Sequence, residues 1–265
     1  MLRVATVNVN GIRAAFRRGM GEWLARSAPD VLLVQEVRAD DEILADHLPR
    51  TDWHLAHEAA AAKGRAGVAI ASRLPMVAIR IGIGTGAETD SGRWVEADLE
   101  LPGGGELTVV STYVHSGTAG MPSMDEKYAF LDAVTARMAA IAATGTPAVV
   151  AGDLNIAHRE VDIKNWKGNL KSAGFLPRER AVLDRWFDEL GWRDVGRRLG
   201  GPGPGPYTWW SWRGKAFDQD TGWRIDYQVA TPALADLART GTIDRAPSYA
   251  ERFSDHAPFV VDYDL

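Results

Sequence analysis

The sequence predicts an α/β protein with two β layers and helices outside them, and three observations carry that reading. Apolar spacing switches repeatedly between the two-residue period of strands and helical spacing. Several strands follow one another across short Gly/Pro turns, which favours antiparallel pairing over a purely parallel βαβ sheet. The 265 residues suit one large domain, and the chain shows no internal repeat and no convincing linker. With 46% hydrophobic and 25% charged residues there is ample apolar surface to bury, so disorder over most of the chain is excluded.

The elements follow in order. Arg3 to Val9 alternates and is β-branched, which reads as a strand. Ala14 to Ser27 places Phe16, Met20, Trp23 and Leu24 at helical spacing. Val31 to Val34 is a short buried strand, and a helix follows through Asp40 to His47. Trp53–His57, Gly67–Ala71, Val77–Ile81, Trp94–Glu100 and Leu107–Val114 read as successive strands. Asp125 to Ala143 is the longest helical pattern, with Tyr128, Leu131, Val134, Met138 and Ile141 on one face. Ala148–Ala151 is a short buried strand. Pro177 opens a helix to Leu190, at a position where its missing N–H costs nothing. Gly200 to Pro206 reads as a loop, and Arg224–Ala230 and Ala257–Asp264 close the chain as strands.

Several classes are excluded or disfavoured. No run approaches ~18 uninterrupted apolar residues, so no membrane helix is expected. The N-terminus lacks the features of a signal peptide, and there are no cysteines. Disulfides, thiolate nucleophiles and Cys-ligated zinc are thereby excluded, and a cytoplasmic protein is expected. The net charge of −5 argues against a nucleic-acid binder taken alone, but carboxylates grouped around a metal would bias that sum while a basic face remained elsewhere.

Polar residues gather where strands should end: Asn8 and Asn10, Gln35 and Glu36, Asp153 and Asn155, Asp226, and Ser254-Asp255-His256. Any one of these is most simply a turn or cap residue. Together they are harder to dismiss, because burying them apart would cost several kcal/mol each. Convergence on a metal would offset that cost, and oxygen ligands without Cys suit Mg²⁺ or Mn²⁺. Zinc is disfavoured, since His47, His54, His57, His115 and His158 sit in no ligand-spaced motif. His54 and His57 read as surface residues, and His115 as a residue at the edge of the site near Tyr113.

Asn8-Val9-Asn10-Gly11-Ile12-Arg13, Gln35-Glu36, Gly152-Asp153-Leu154-Asn155, Trp223-Arg224-Ile225-Asp226-Tyr227 and Ser254-Asp255-His256 occur in that order. Together they resemble the exonuclease III family of abasic-site endonucleases, within the endonuclease/exonuclease/phosphatase superfamily. The resemblance runs from Val4 to about Val261. Asn165 to Asn169, Gly174 to Pro177 with Glu179-Arg180, and Tyr207 to Trp210 narrow it to the DNA-repair branch.

The resemblance implies a four-layered, DNase I-like α/β sandwich forming a single catalytic domain over residues 1–265, with the site at one rim. It implies Glu36 as the main metal ligand, Asn8, Asn10 and Asp255 near the ion, and Asp153, Asn155 and His256 completing the set. Asp153 and Asn155 would lie beside the scissile phosphate, with Asp153 as base or leaving-group acid. His256 would contact the phosphate, oriented by Asp226, and Tyr113 would sit against it. Hydrolysis of an anionic phosphodiester suits this chemistry, because a divalent ion polarises the phosphoryl oxygens and an Asp-held His has its tautomer fixed.

The basic residues form three groups: Arg13, Arg17 and Arg18; Lys63 and Arg65; Lys164, Lys167 and Lys171. Each reads equally as a solvated face. Gly-rich Lys63-Gly64-Arg65-Ala66-Gly67 and Lys167-Gly168-Asn169 would nonetheless let phosphates approach the backbone, and Arg13, Lys63, Arg65, Lys167 and Asn169 are the expected DNA contacts. By resemblance, Trp209 and Trp223 would line a pocket for a flipped-out abasic sugar. Two departures stand out. Arg65 replaces a common aromatic, and Ser116 to Met124 lacks an obvious wedge residue. The expected activity is Mg²⁺-dependent cleavage 5′ to abasic sites in double-stranded DNA, with trimming of blocked 3′ ends and 3′→5′ degradation, by a monomer. Mn²⁺ should substitute. The rivals are a phosphatase acting on a phosphorylated small molecule or lipid, and an inert damaged-DNA-binding module.

Overall fold

The first strand, β1 (Leu2–Asn8), is buried along almost its whole length because it lies inside a sheet covered on both faces. The computed structural model describes all 265 residues and places this strand in a six-stranded sheet. Its other members are β2 (Val31–Gln35), β3 (His54–Glu58), β4 (Val68–Ser72), β11 (Ala238–Ile243) and β12 (Phe259–Tyr263), in the order β11-β12-β1-β2-β4-β3. The second sheet holds β5 (Met76–Ile81), β6 (Trp94–Glu100), β7 (Glu106–Tyr113), β8 (Ala148–Asp153), β9 (Arg193–Asp194) and β10 (Asp226–Ala230), in the order β5-β6-β7-β8-β10-β9. Each sheet is antiparallel except for one central parallel pair, β1–β2 in the first and β7–β8 in the second.

Valines, leucines and alanines from the facing sides of both sheets form one buried cluster, including Val4, Leu33, Val68, Val95, Val109 and Val149. Each large aliphatic side chain buried there stabilises the fold by roughly 1.5–3 kcal/mol. Helices α1 (Ile12–Arg17), α2 (Met20–Ser27) and α3 (Asp41–His47) cover the outer face of the first sheet through Ile12, Met20, Trp23 and Leu44. Helices α4 (Ser123–Thr144) and α5 (Pro177–Asp184) cover the second through Phe130, Val134, Met138 and Leu183. The result is the predicted four-layered sandwich. Short helices α6 (Val195–Gly200) and α7 (Pro232–Asp236) close the inter-sheet core with Val195 and Leu234.

Several boundaries differ from the sequence reading. The single helix expected over Ala14–Ser27 is two, because Gly19 takes φ +101°, a left-handed conformation that ends α1 and caps α2. The helix expected to reach Leu190 leaves α-helical hydrogen bonding at Asp184 and passes into a π turn over Arg185–Glu189, where Trp186 is fully buried. The last-but-one strand starts at Asp226 instead of Arg224, since the Arg224 N–H donates to the Asp162 carbonyl at 2.7 Å and the Ile225 N–H to the Thr208 hydroxyl at 3.1 Å, outside the ladder with β8. Strands β9 and β11 and helices α6 and α7 escaped the pattern. Three of them are too short for a period to register, and β11 is a mostly exposed edge strand with polar Arg, Thr and Gly. The Gly-Pro run after α6 is pinned, with Arg197 donating to the carbonyls of Gly201, Gly203 and Gly205.

Candidate active site

The strand register brings the polar clusters together. In the parallel pair β1–β2, Asn8 lies opposite Gln35, so Glu36 emerges just beyond it. In β7–β8, Tyr113 lies opposite Asp153. Because β10 runs antiparallel to β8, its first residue, Asp226, faces the last residue of β8, Asp153. Because β12 runs antiparallel to β1, Ser254-Asp255-His256 arrives beside the end of β1, and the Ser254 hydroxyl donates to the Asn8 carbonyl at 2.7 Å. Four strand ends and two strand starts thus meet at one rim.

There Asn8, fully buried, donates from Nδ2 to Glu36 Oε1 and to Asp153 Oδ2, both at 2.9 Å, while its Oδ1 accepts from the Asn10 backbone. Asn10 Nδ2 donates to Asp255 Oδ1 at 2.8 Å. Asn155 donates through its backbone to Asp153 Oδ1 at 2.9 Å and through Nδ2 to Asp153 Oδ2 at 3.1 Å. His256 Nδ1 meets Asp226 Oδ2 at 2.8 Å, and its Nε2 lies 3.7 Å from Asp153 Oδ2. Asn10, Glu36 and Asn155 all hold φ near +50°. Asparagine tolerates that conformation, but for Glu36 it is strained, and such strain concentrates at functional sites.

Gln35 belongs to the frame. Its amide spans the two sheets, donating to Thr6 at 3.1 Å and to Ser111 at 2.9 Å. Gly152 allows β7 and β8 to close up, since a Cβ there would lie 1.9 Å from the Thr112 carbonyl oxygen.

The electrostatics follow from burial. Desolvation pushes the Asp153 carboxyl up to about 7, against the opposing pull of His256. Burial alone would lower His256, but Asp226 and then Asp153 overcome it and raise it to about 10, so the imidazole is a cation at neutral pH. The Tyr113 phenol is raised by burial and by Glu36 and stays protonated. Asp255 is half-buried, and His256 and its hydrogen bonds from Asn10 and Trp209 hold it below the usual carboxylate range.

Glu36, Asp153 and Asp255, with the free amide oxygens of Asn10 and Asn155, offer only oxygen donors, a set that fits a hard divalent cation. Arg38 pairs with Glu36 Oε2, while Glu36 Oε1 accepts from Asn8. Asp153, Asp226 and His256 also lie close enough to share an ion. We assign that trio to a hydrogen-bonded imidazolium instead, because His256 Nδ1 is already taken by Asp226.

The expected DNA contacts are exposed cations, two half-buried tryptophans and one asparagine. Arg13, Lys63, Arg65 and Lys167 are exposed. Trp209 and Trp223 are half-buried and meet edge to face, with centroids 6.2 Å apart at 85°, and Trp209 Nε1 donates to Asp255. Trp210, by contrast, is core. Asn169 uses its side chain within its own turn, donating to the Asn165 carbonyl and accepting from Ser172. A cavity of about 390 Å³ opens beside Tyr113, lined by Arg65, Arg93 and His115 among others. His115 is thus at the site edge as expected, buried and 3.0 Å from Asp90. His54 is exposed as expected, but His57 is not a surface group, since its side chain is 3% exposed and bonded to Asp41. It sits inside because strand alternation turns it away from the face of His54.

Sequence reasoning missed Arg38 on Glu36 and Arg93, whose guanidinium lies 5.0 Å over the Tyr113 ring. Arg38 was within reach, two residues beyond Glu36. Arg93 was not, because only the pairing of β6 with β7 brings it to Tyr113.

A two-sheet sandwich with an imidazolium–carboxylate pair beside an all-oxygen cation site defines a phosphoester hydrolase. Residues 5–256 match the model of the Endonuclease/Exonuclease/phosphatase family, and the chain belongs to that family. It is 30% identical over 258 residues to an exodeoxyribonuclease of Bacillus subtilis, covering 97% of each. It is 31% identical to a DNA-(apurinic or apyrimidinic site) endonuclease of Dictyostelium discoideum, covering all of this chain and 71% of that one. Among solved structures, an AP endonuclease from Archaeoglobus fulgidus superposes with TM-score 0.89 and 29% identity over 100% of both chains. A Neisseria 3′ phosphatase bound to product DNA hairpin also gives 0.89, at 26% identity, again over 100% of both.

Proposed function

We propose that this chain is a divalent-metal-dependent DNA repair nuclease, a single catalytic domain over residues 1–265 acting as a monomer. It cleaves double-stranded DNA 5′ to abasic sites, leaving a 3′-hydroxyl, and clears blocked 3′ ends with 3′→5′ exonuclease action. The observation that carries the reading is the meeting of Glu36, Asp153, Asn155, Asp226 and His256 at one rim beside the Trp209–Trp223 pair. The relatives named above, exodeoxyribonuclease and AP endonuclease, support the substrate.

Mg²⁺ is the proposed cation, held by Glu36 with Asn8, Asn10 and Asp255 around it, and Mn²⁺ substitutes. A bound divalent ion supplies Lewis-acid polarisation of the phosphate. The chain's own groups do the rest. His256, kept protonated by Asp226, donates from Nε2 to a phosphoryl oxygen and stabilises the charge that builds there. Asp153, whose carboxyl burial raises to about 7, takes the proton of the attacking water as the P–O3′ bond breaks, and solvent protonates the departing 3′ oxygen. Asn155 keeps both carboxylate oxygens of Asp153 in place and presents its own amide oxygen to the site. The Tyr113 phenol, un-ionised, donates to the phosphate. Trp209 and Trp223 accept a sugar without a base, since a missing base makes extrusion cheap.

The test is product identity on an end-labelled duplex with one abasic site, for which the expected product is a nick bearing a 3′-hydroxyl. Inorganic phosphate released from small phosphomonoesters, with the duplex intact, would instead place the chain among the family's phosphatases.

A further inference from the structure

The segment from Gly174 to Arg180 singled out in the sequence has no role in the site so far. Its Glu179 is fully buried and lies 2.5 Å from the ammonium of Lys127 on α4, which is also fully buried. The same ammonium donates to the Asn155 carbonyl at 2.9 Å and to the Ser116 carbonyl at 3.3 Å. Three donors therefore meet three acceptors. Glu179 in turn accepts from the backbones of Gly174 at 2.7 Å and Leu176 at 2.9 Å. Gly174 holds φ +88°, and a Cβ there would come within 3.0 Å of the Asn155 carbonyl oxygen and 3.2 Å of Trp223.

Asn155 is thus gripped from several sides. Its N–H, its Nδ2 and its carbonyl all have partners, and Oδ1 is left for a ligand. A methionine would pack in place of Lys127 without the desolvation that a buried cation demands. What the cation adds is a donor to two carbonyls, one just beyond β7 and one just beyond β8.

We infer that Lys127 is a positioning residue for Asn155, acting from behind the site with Glu179 as its counter-charge. The inference rests on the functional reading above. Without the Lys127 donor, the peptide after Asn155 is free to turn, the φ of +49° relaxes, and Oδ1 leaves the site.

The test measures single-turnover cleavage of abasic duplex in Mg²⁺, DNA affinity by anisotropy, and Tm. The variants are Lys127→Met, Glu179→Gln, the neutral pair Lys127→Met/Glu179→Gln, and each combined with Asn155→Ala. Glu179→Gln should lower Tm while cutting at close to the wild-type rate, because Lys127 still donates to Asn155. The neutral pair should regain Tm yet cut roughly tenfold or more slowly, with affinity within about threefold of wild type. Asn155→Ala, severe in the wild-type background, should cost less than about threefold more in the neutral pair, as expected of two residues acting as one unit.

Rates that track Tm across the set, or full multiplication of the Lys127 and Asn155 effects, overturn the inference. A neutral pair that cannot fold overturns it as well, since the ion pair then serves folding. A wild-type chain that cuts no DNA defeats the functional reading, whereas an active wild type with equally active variants defeats this inference alone.

Discussion

One buried imidazole, His256, stands between two buried carboxylates, with Nδ1 2.8 Å from Asp226 Oδ2 and Nε2 3.7 Å from Asp153 Oδ2. Asp226 is itself held by its backbone N–H, which donates to the Thr208 hydroxyl at 3.1 Å. The pair fixes which nitrogen of His256 faces the substrate. His256→Asn should therefore lower the single-turnover rate by about 10³-fold or more while leaving DNA affinity and the circular-dichroism spectrum near wild type. A rate within about tenfold of wild type would remove His256 from the mechanism.

The same triad sets the stability of the metal-free protein. The folded pKa of His256 is raised to about 10, above its ordinary 6.5, so its contribution is full below about 6.5 and is lost as pH rises toward 10. Asp153 is raised to about 7 by burial, so its ionisation also works against folding as pH rises toward that value. In EDTA, Tm should fall between pH 6 and pH 10. The Tm gap between wild type and His256→Asn should narrow over the same range. A gap that widens with pH reverses the assigned sign.

Gly152 is the closest backbone approach at the site. Gly152→Ala forces β8 away from β7, because the new Cβ meets the Thr112 carbonyl and the φ of +145° suits only glycine. We expect a loss of about 3 kcal/mol or more in urea unfolding, with activity falling alongside because Tyr113 and Asp153 sit at the same strand ends. A cost under about 1 kcal/mol would show that the strands can separate freely.

Lys167 is exposed, with its ammonium 5.4 Å over the Trp166 ring. If it neutralises one phosphate, Lys167→Ala weakens binding to duplex DNA and lowers the salt slope of log K by about one unit. An unchanged slope returns this lysine to an ordinary solvated face.

Much of this was legible in the sequence for identifiable reasons. The strands leading into Asn8, Glu36 and Asp153 are short apolar runs that stop at a polar residue, and the last strand starts just after His256, so these breaks mark the rim. Two β layers with helices outside followed from runs of consecutive strands set between helical patterns, and the four-layered form from the family resemblance. Features set by tertiary register stayed hidden. Nothing local to Arg93 points to Tyr113, and although helical spacing puts Lys127 on the face of Leu131 and Val134, nothing in that pattern names a buried partner for its charge. A lysine at that spacing reads as solvent-exposed unless its carboxylate partner, 52 positions away at Glu179, is known to be buried with it. The break at Gly19 was visible as a glycine, but the apolar spacing on either side ran straight through it.

The central claim is that the rim hydrolyses the DNA backbone 5′ to a missing base with the help of a divalent cation. The most direct measurement is cleavage of a duplex carrying one tetrahydrofuran abasic analogue, in Mg²⁺ and in EDTA. The analogue cannot undergo β-elimination, so any cut is hydrolytic. We expect a single nick 5′ to the analogue with a 3′-hydroxyl in Mg²⁺, and intact DNA in EDTA. Intact DNA in both Mg²⁺ and Mn²⁺, or cutting that persists in EDTA, would contradict the account.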